Sequence, residues 1–339
     1  MISWLGSIRG LRHAGRRTNV ALLVVLLGAA VTGGMAFAAG TPIPAWLATL
    51  VHGLFGFAVL VLVPWKTMIV RRAAARRVAS LVLVVLIAVC ITSGLFEVFI
   101  GYGVLWRLSP MQVHVGSAVL AAPLLAWHVL RHRRQRLRRV DLSRRMLLRT
   151  GALAAGVAAT YSTVEGIGRL AEAASASRIA TGSHYLSPRV IPATTWLFDR
   201  IPALGADHRV HVAGTELTVA DLRSRAATVA ARLDCTSGWY TEAEWTAVSL
   251  ADLLPDEQLA AAASIEVVSV TGYRRRFPVD EAGFVYLATD YQGQPLRAAY
   301  GAPVRLVAPH RRGFWWVKWV ASVELSDLPA WSQSPFPLQ

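Results

Sequence analysis

The sequence predicts an all-α transmembrane helical bundle followed by an α+β domain, and three observations lead there. The 339 residues are 54% hydrophobic with a mean hydropathy of +0.44, too apolar for an ordinary soluble enzyme. The excess positive charge is confined to the first half, with 20 Lys/Arg against 4 Asp/Glu before residue 175 and 15 against 16 from there on. From about residue 185 the long apolar runs give way to short β-branched and aromatic runs separated by turn residues. The formal net charge of +15 therefore flanks apolar segments and marks topology, and nucleic acid is excluded as a partner. Two cysteines, Cys90 and Cys235, do not support a disulfide framework.

The first domain, residues 1–140, contains apolar stretches at 19–39, 46–65, 78–100 and 112–130, each near the twenty or so residues a helix needs to cross a bilayer. Arg9, Arg12, Arg16 and Arg17 precede the first. Lys66, Arg71, Arg72, Arg76 and Arg77 lie between the second and third, and nine arginines from Arg131 to Arg149 follow the fourth. The two other connections carry only Arg107. The positive-inside rule places both ends of this bundle in the cytoplasm.

His52, His114 and His128 fall within these spans, where an ionisable group is expensive and points to function. His52 and His114 begin the second and fourth spans, which run in the same direction, so they lie at similar depth near the outer face. Two imidazoles at one depth suit the two axial positions of a b-type haem, with quinone or another membrane redox carrier as its partner. Core histidines satisfied by polar neighbours remain the alternative. His128 follows His114 by 14 residues, about 21 Å along a helix and near the same face. It is the candidate for a second haem, whose partner would be Met68 or no protein group. Cys90 reads as a small packing residue.

Residues 141–184 are a linker of a different kind. Ser143-Arg144-Arg145-Met146-Leu147-Leu148-Arg149 precedes a Gly/Ala-rich apolar stretch. The segment resembles a twin-arginine export signal, which implies the export machinery as a partner; the alternative is a stop-transfer cluster before a fifth membrane helix. A helix over 146–165 would carry everything beyond about residue 175 outside the cytoplasm, and Ala174-Ser175-Ala176 offers a signal-peptidase site. The expected location is the inner membrane, multi-pass, with the C-terminal domain on the extracytoplasmic side.

The third segment, 185–339, holds the chemistry. Leu233-Asp234-Cys235-Thr236-Ser237-Gly238-Trp239 stands upstream of Trp245, Leu250 and Leu254. Gly301-Ala302-Pro303-Val304-Arg305, followed by Gly313-Phe314 and Val317-Lys318-Trp319, lies about seventy residues on. In this order the two motifs resemble the sulfite-oxidase family of molybdopterin enzymes. The resemblance implies Cys235 as the single protein ligand of molybdenum, a role suited to a soft thiolate. It also implies Arg305 and Lys318 as contacts for the pterin phosphate or an anionic substrate. Many members carry histidine where this chain has Tyr300, whose hydroxyl could still reach the pterin. His310, with Arg311 and Arg312, either borders the cofactor or forms a solvated turn. Arg274, Arg275 and Arg276 either select an oxyanion on the substrate side or form a solvated face. The chain stops at Gln339 without an immunoglobulin-like segment, as in the smaller bacterial forms of the family.

The implied protein is a membrane-bound molybdenum oxidoreductase, resembling in one chain the pairing of a periplasmic molybdenum reductase with a membrane haem protein in methionine sulfoxide repair. A small S- or N-oxide or an oxyanion is the expected substrate. The alternatives are a sulfite-type oxidase passing electrons to the haem, and a non-catalytic redox sensor or assembly module.

Overall fold

The computed structural model describes residues 15–72, 78–103, 108–131, 144–170, 178–189, 191–193, 200–205 and 207–337. The chain divides into two compact units, Met1–Ala36 with Trp46–His184, and Phe37–Ala45 with Tyr185–Gln339.

The first unit is built on five helices: α1 (Arg16–Ala38), α2 (Pro42–Arg72), α3 (Val78–Phe99), α4 (Pro110–Arg131) and α5 (Arg144–Leu170). Their starts follow from local chemistry. Proline opens α2 and α4, where its missing N–H costs nothing. Ser109 and Gln112 cap α4 reciprocally, through Ser109 N–H to Gln112 Oε1 (2.8 Å) and Gln112 N–H to Ser109 Oγ (3.2 Å). Small residues let the helices approach: a Cβ on Gly28 would lie 2.5 Å from the Phe55 ring, and one on Gly53 2.9 Å from the Tyr161 ring.

Four described helical segments are long and apolar enough to cross a membrane: Arg17–Ala38, Pro42–Lys66, Leu81–Phe99 and Pro110–Arg131. These are the four expected spans. Their outward faces carry large apolar side chains such as Val31, Ile43, Leu81 and Val119, each more than half exposed. α5 forms where a fifth helix is expected and runs longer, but it is not among the segments of membrane-spanning hydropathy. Its Gly, Ala and Thr content, with Glu165 and Arg169 near its end, dilutes the apolar signal. The proposed cleavage site Ala174-Ser175-Ala176 lies outside the described residues, as do the side chains of Arg144, Arg145 and Met68.

The second unit is strand-rich, and its strands are β1 (His184–Tyr185), β2 (Arg209–Val212), β3 (Thr215–Thr218), β4 (Ala227–Cys235), β5 (Trp239–Ser249), β6 (Ser264–Ser269), β7 (Arg274–Phe277), β8 (Tyr286–Tyr291), β9 (Gln294–Pro295), β10 (Arg305–Val307) and β11 (Val320–Ser326). Short helices α6 (Val219–Arg225) and α7 (Asp256–Ala261) complete it. One sheet runs β1-β5-β8-β10, with β4 also on β5 and β9 on β8; the other runs β3-β2-β11-β6-β7. The β2–β11 pair is parallel.

The inward residues of β5, Trp239, Thr241, Ala243, Trp245 and Ala247, alternate with more exposed ones, the period of two that a strand with one buried face requires. Trp245, Ile265, Phe277, Leu287 and Leu306 are essentially inaccessible. This is the α+β architecture expected from the sequence. Its consequence for function is that β4, β10 and the loops around them deliver their side chains to one cleft.

Candidate active site

Cys235 is the last residue of β4, and the tight turn Thr236-Ser237-Gly238 returns the chain as β5, with Cys235 paired to Trp239. Gly238 takes φ = 96° and donates its N–H to the Cys235 carbonyl (3.2 Å); that left-handed conformation favours glycine. The thiol is buried and lies 3.1 Å from Ser237 Oγ. Cys235, Trp239, Tyr300, Arg305, Gly313 and Lys318 are among the residues lining a cleft of about 50 Å³. A second cleft of about 340 Å³, bordered by Arg189, Tyr291, Gln292 and Arg297, shares Tyr300 with the first.

Two glycines close this arrangement. A Cβ on Gly313 would lie 3.1 Å from the Asp234 carbonyl oxygen and 3.1 Å from Cys235 Cα, so the Gly313 backbone is packed against the cysteine strand. Gly301, at φ = 107°, would bring a Cβ within 3.0 Å of Arg305 Cβ and 3.1 Å of Lys318 Cβ. Beside Lys318, Trp319 also adopts a positive φ of 52°, a strained turn for a bulky residue, and its indole N–H donates to the Ala298 carbonyl (2.7 Å).

Arg305 is the most unusual group in the cleft. It is 3% exposed and donates from Nη1 to the Tyr300 carbonyl (3.0 Å). Its guanidinium sits over Trp245 and Trp316, 5.1 and 5.6 Å from their ring centroids. Burial pushes its pKa down to about 10, while Cys235 and Tyr291 act in the opposite direction. Among the described residues no carboxylate forms an ion pair with it. Trp239 is 2% exposed, and its indole N–H has no hydrogen-bond partner among the described residues. Lys318 donates to the Ala299 carbonyl (2.9 Å). The cleft thus offers one thiol, an unneutralised buried cation, a second cation and an unused N–H: a donor set for an anionic, metal-bearing group.

Cys235, Arg305, Lys318 and Tyr300 are therefore brought together, as expected. The Tyr300 hydroxyl donates to the Ile191 carbonyl (2.9 Å), so toward a ligand it can only accept. His310 is a correction. It is exposed, set edge-on to Phe284 (centroids 5.9 Å), and does not line the cleft. The neighbouring cations are not a solvated turn either: Arg311 pairs with Glu281, and buried Arg312 pairs with Asp234 (3.4 Å).

Arg275 and Arg276 are structural, while Arg274 is exposed and lies 3.9 Å from Glu266. Arg275 donates to the Ser334 and Phe336 carbonyls and Arg276 to that of Ser332, strapping the C-terminal segment to β7. Sequence reasoning quoted Trp239, Gly301 and Gly313 as motif flanks and gave them no role. Their position beside the cysteine and the Gly-Ala-Pro run was the available signal.

In the first unit, His52 and His114 meet with ring centroids 5.7 Å apart and planes at 82°. His52 Nδ1 donates to the Ala29 carbonyl (2.9 Å) and His114 Nδ1 to the Cys90 carbonyl (2.7 Å). A carbonyl can only accept, so both rings carry the proton on Nδ1, and Nε2 holds the lone pair. The Cys90 thiol lies 3.5 Å from His114 Nδ1. His128 ends α4 in the last turn, and no ring contact joins it to this pair among those described. Among the described residues no three His, Cys, Asp or Glu gather as a metal site.

The class to which the strand-rich unit belongs is that of a cofactor-binding oxidoreductase domain. Residues 199–334 match the family described as the oxidoreductase molybdopterin binding domain. The C-terminal part of the chain is a sulfite-oxidase-type molybdopterin-binding oxidoreductase domain, preceded by four apolar helices.

The chain is similar to the protein-methionine-sulfoxide reductase catalytic subunits MsrP of Xanthomonas axonopodis pv. citri and Xanthomonas campestris pv. campestris. Each is 30% identical over 28% of this chain and 35% of the relative. The chain thus spans about a third of the length of the curated relatives it matches. It also aligns with the sulfane dehydrogenase SoxCD of Paracoccus pantotrophus, at 25% identity over 38% of this chain and 40% of that one, with a TM-score of 0.34.

Proposed function

We propose that this protein is a membrane-bound molybdenum oxidoreductase that reduces an S- or N-oxide outside the cytoplasm, drawing electrons from the quinone pool through a haem in its helical bundle. The observation that carries the reading is Arg305, a buried cation beside Cys235 with no carboxylate partner among the described residues. Indole and carbonyl contacts offset its burial cost, which leaves the positive charge available to an anionic group in the same cleft. The curated relatives are sulfoxide reductases by name, which favours the oxide-reducing direction.

The residues present fit a molybdopterin. Cys235 would supply the thiolate ligand, Arg305 and Lys318 would face anionic oxygens, and the Trp239 indole N–H would gain an acceptor. When bound, that cofactor supplies two-electron oxygen-atom chemistry, in which an oxide, two electrons and two protons give the reduced substrate and water. The chain's own part is binding and electrostatics. Arg305 would fix anionic oxygens with a planar fork. The aromatic walls Trp239, Trp245 and Trp316 keep water from these charges, which strengthens every interaction among them. Tyr300 borders both clefts, and the larger one, with Arg189 and Arg297, is the proposed side of substrate entry.

His52 and His114 likewise fit a b-type haem. His52 and His114 would hold the haem iron between them, their ring centroids lying 5.7 Å apart. Nδ1 donation to a backbone carbonyl is how a metal-bound imidazole is commonly oriented. His128 remains the proposed ligand of a second haem. The outward placement of the catalytic domain rests on the arginine pair at the start of α5 and requires that helix to cross. Protease accessibility of the C-terminal domain in intact spheroplasts tests it: cleavage supports the reading, and protection refutes it.

The central test is metal analysis with a reduced-minus-oxidised visible spectrum on the detergent-purified chain, then turnover with sulfoxides, N-oxides and sulfite. One molybdenum per chain, a b-type band and oxide reduction are expected. Molybdenum with sulfite oxidation alone would reverse the electron flow, and no molybdenum would remove the assignment.

A further inference from the structure

We propose that Gly33 and Gly94 are positioning residues for the two axial imidazoles, placed by a device that the bundle uses twice. The inference rests on the haem reading above. In the α1–α2 hairpin, His52 of α2 donates Nδ1 to the carbonyl of Ala29 on α1. One turn further along α1, Gly33 faces the same ring. A Cβ there would lie 3.0 Å from His52 Cε1 and 3.1 Å from Nδ1.

In the α3–α4 hairpin, His114 of α4 donates Nδ1 to the carbonyl of Cys90 on α3. One turn further along α3, Gly94 faces that ring. Its Cβ would lie 2.8 Å from His114 Nδ1 and 3.0 Å from Cε1. The two glycines are 61 residues apart and the two histidines 62. Each hairpin thus contributes one imidazole, held by a carbonyl at one helical position and admitted by a glycine four residues later.

The glycines are not explained by the helices that carry them, since glycine is the poorest ordinary residue inside a helix. Nor does every glycine of the bundle behave this way. A Cβ on Gly34, next to Gly33, or on Gly116, next to the His114 turn, would meet nothing within 4 Å. At Gly94 a methyl group cannot fit without moving the imidazole, because real Cβ atoms essentially never approach that closely. Moving the ring lengthens the 2.7 Å bond that fixes its tautomer and plane. At Gly33 the space is tight by a few tenths of an ångström, so the effect there is smaller. Both substitutions act on how the imidazole meets a metal and leave the helix itself better formed.

The experiment uses the full chain, purified from membranes with its haem. Gly33→Ala and Gly94→Ala are compared with Gly34→Ala and Gly116→Ala as controls, and with His52→Ala and His114→Ala as ligand deletions. Haem per chain after dialysis, the low-spin ferric EPR signal and helical content by circular dichroism are read on each.

The inference expects Gly94→Ala to lose haem roughly ten-fold faster or to shift the low-spin signal. It expects Gly33→Ala to change in the same sense by less, and the controls to match the parent, all with unchanged helix content. If both histidine deletions lose the low-spin signal while Gly94→Ala matches the parent, this inference fails and the haem reading stands. If the histidine deletions keep the parental signal, the haem reading itself fails. Loss of helix content together with haem in Gly94→Ala makes the glycine a folding residue and overturns the proposal.

Discussion

Arg305→Met separates a binding charge from a structural one. Burial lowers the guanidinium to about 10, and at about 1.4 kcal/mol per tenfold change in proton affinity the folded chain carries roughly 3 kcal/mol for holding it charged. Below about pH 10 the group is charged in both folded and unfolded chains, so the whole cost is present at neutral pH; it fades only as pH rises above 10. Opposing it are two ring contacts, with Trp245 and Trp316, worth about 1 kcal/mol each, and the Tyr300 hydrogen bond, worth about 1 kcal/mol. The terms nearly cancel.

Methionine fills a similar volume with no charge, so the cofactor-free variant is expected to match the parent within about 1 kcal/mol, and the cofactor-loaded form is expected not to assemble. The assay is denaturant unfolding, followed by tryptophan fluorescence, of full-length protein from a host unable to make molybdopterin, alongside molybdenum content from a competent host. A loss of about 3 kcal/mol or more in the cofactor-free protein, with parental molybdenum content, would refute the argument, because that is the signature of a broken buried ion pair.

Cys235→Ser keeps the size of the side chain and the neighbour Ser237, so it should leave folding intact and abolish turnover; a variant that stays active sinks the thiolate assignment. Gly313→Ala forces a methyl group against the Asp234 carbonyl and Cys235 Cα, each 3.1 Å away. The expected outcome is a destabilisation of about 1–3 kcal/mol with a larger fall in molybdenum retention, read by thermal melting and metal analysis. Tyr291 is raised from 10.0 to about 12, chiefly by burial and then by Tyr300. A phenol raised in the fold contributes stability that is complete below pH 10 and is lost as pH climbs toward 12. Tyr291→Phe should therefore flatten the alkaline limb of the stability profile, measured by urea unfolding, and an unchanged limb would contradict the burial of that hydroxyl.

Four helices long and apolar enough to cross a membrane, and the cysteine motif, were legible in the chain because each signal is local. A run of about twenty apolar residues satisfies its own backbone and can sit nowhere else. Cys235 announced itself through residues within four positions of it. That His52 and His114 lie at one depth was also legible, since each begins a span that runs the same way. The arginines were not. Three in a row at 274–276 read the same whether they face substrate or, as Arg275 and Arg276 do here, brace the C-terminal segment through Ser332, Ser334 and Phe336. His310 sits two residues from buried Arg312 yet points to solvent, because a turn sends neighbours to opposite sides.

What the sequence determined by itself was composition along the chain: where apolar length suffices to span a bilayer, where strands alternate, and which thiol stands in a binding motif. Only the tertiary structure decided which charges lost their solvent. Arg305 became a buried cation beside Cys235, Arg312 closed on Asp234, and Gly33 and Gly94 met imidazoles from neighbouring helices. Desolvation depends on what packs against a group from distant parts of the chain, and no local pattern encodes that.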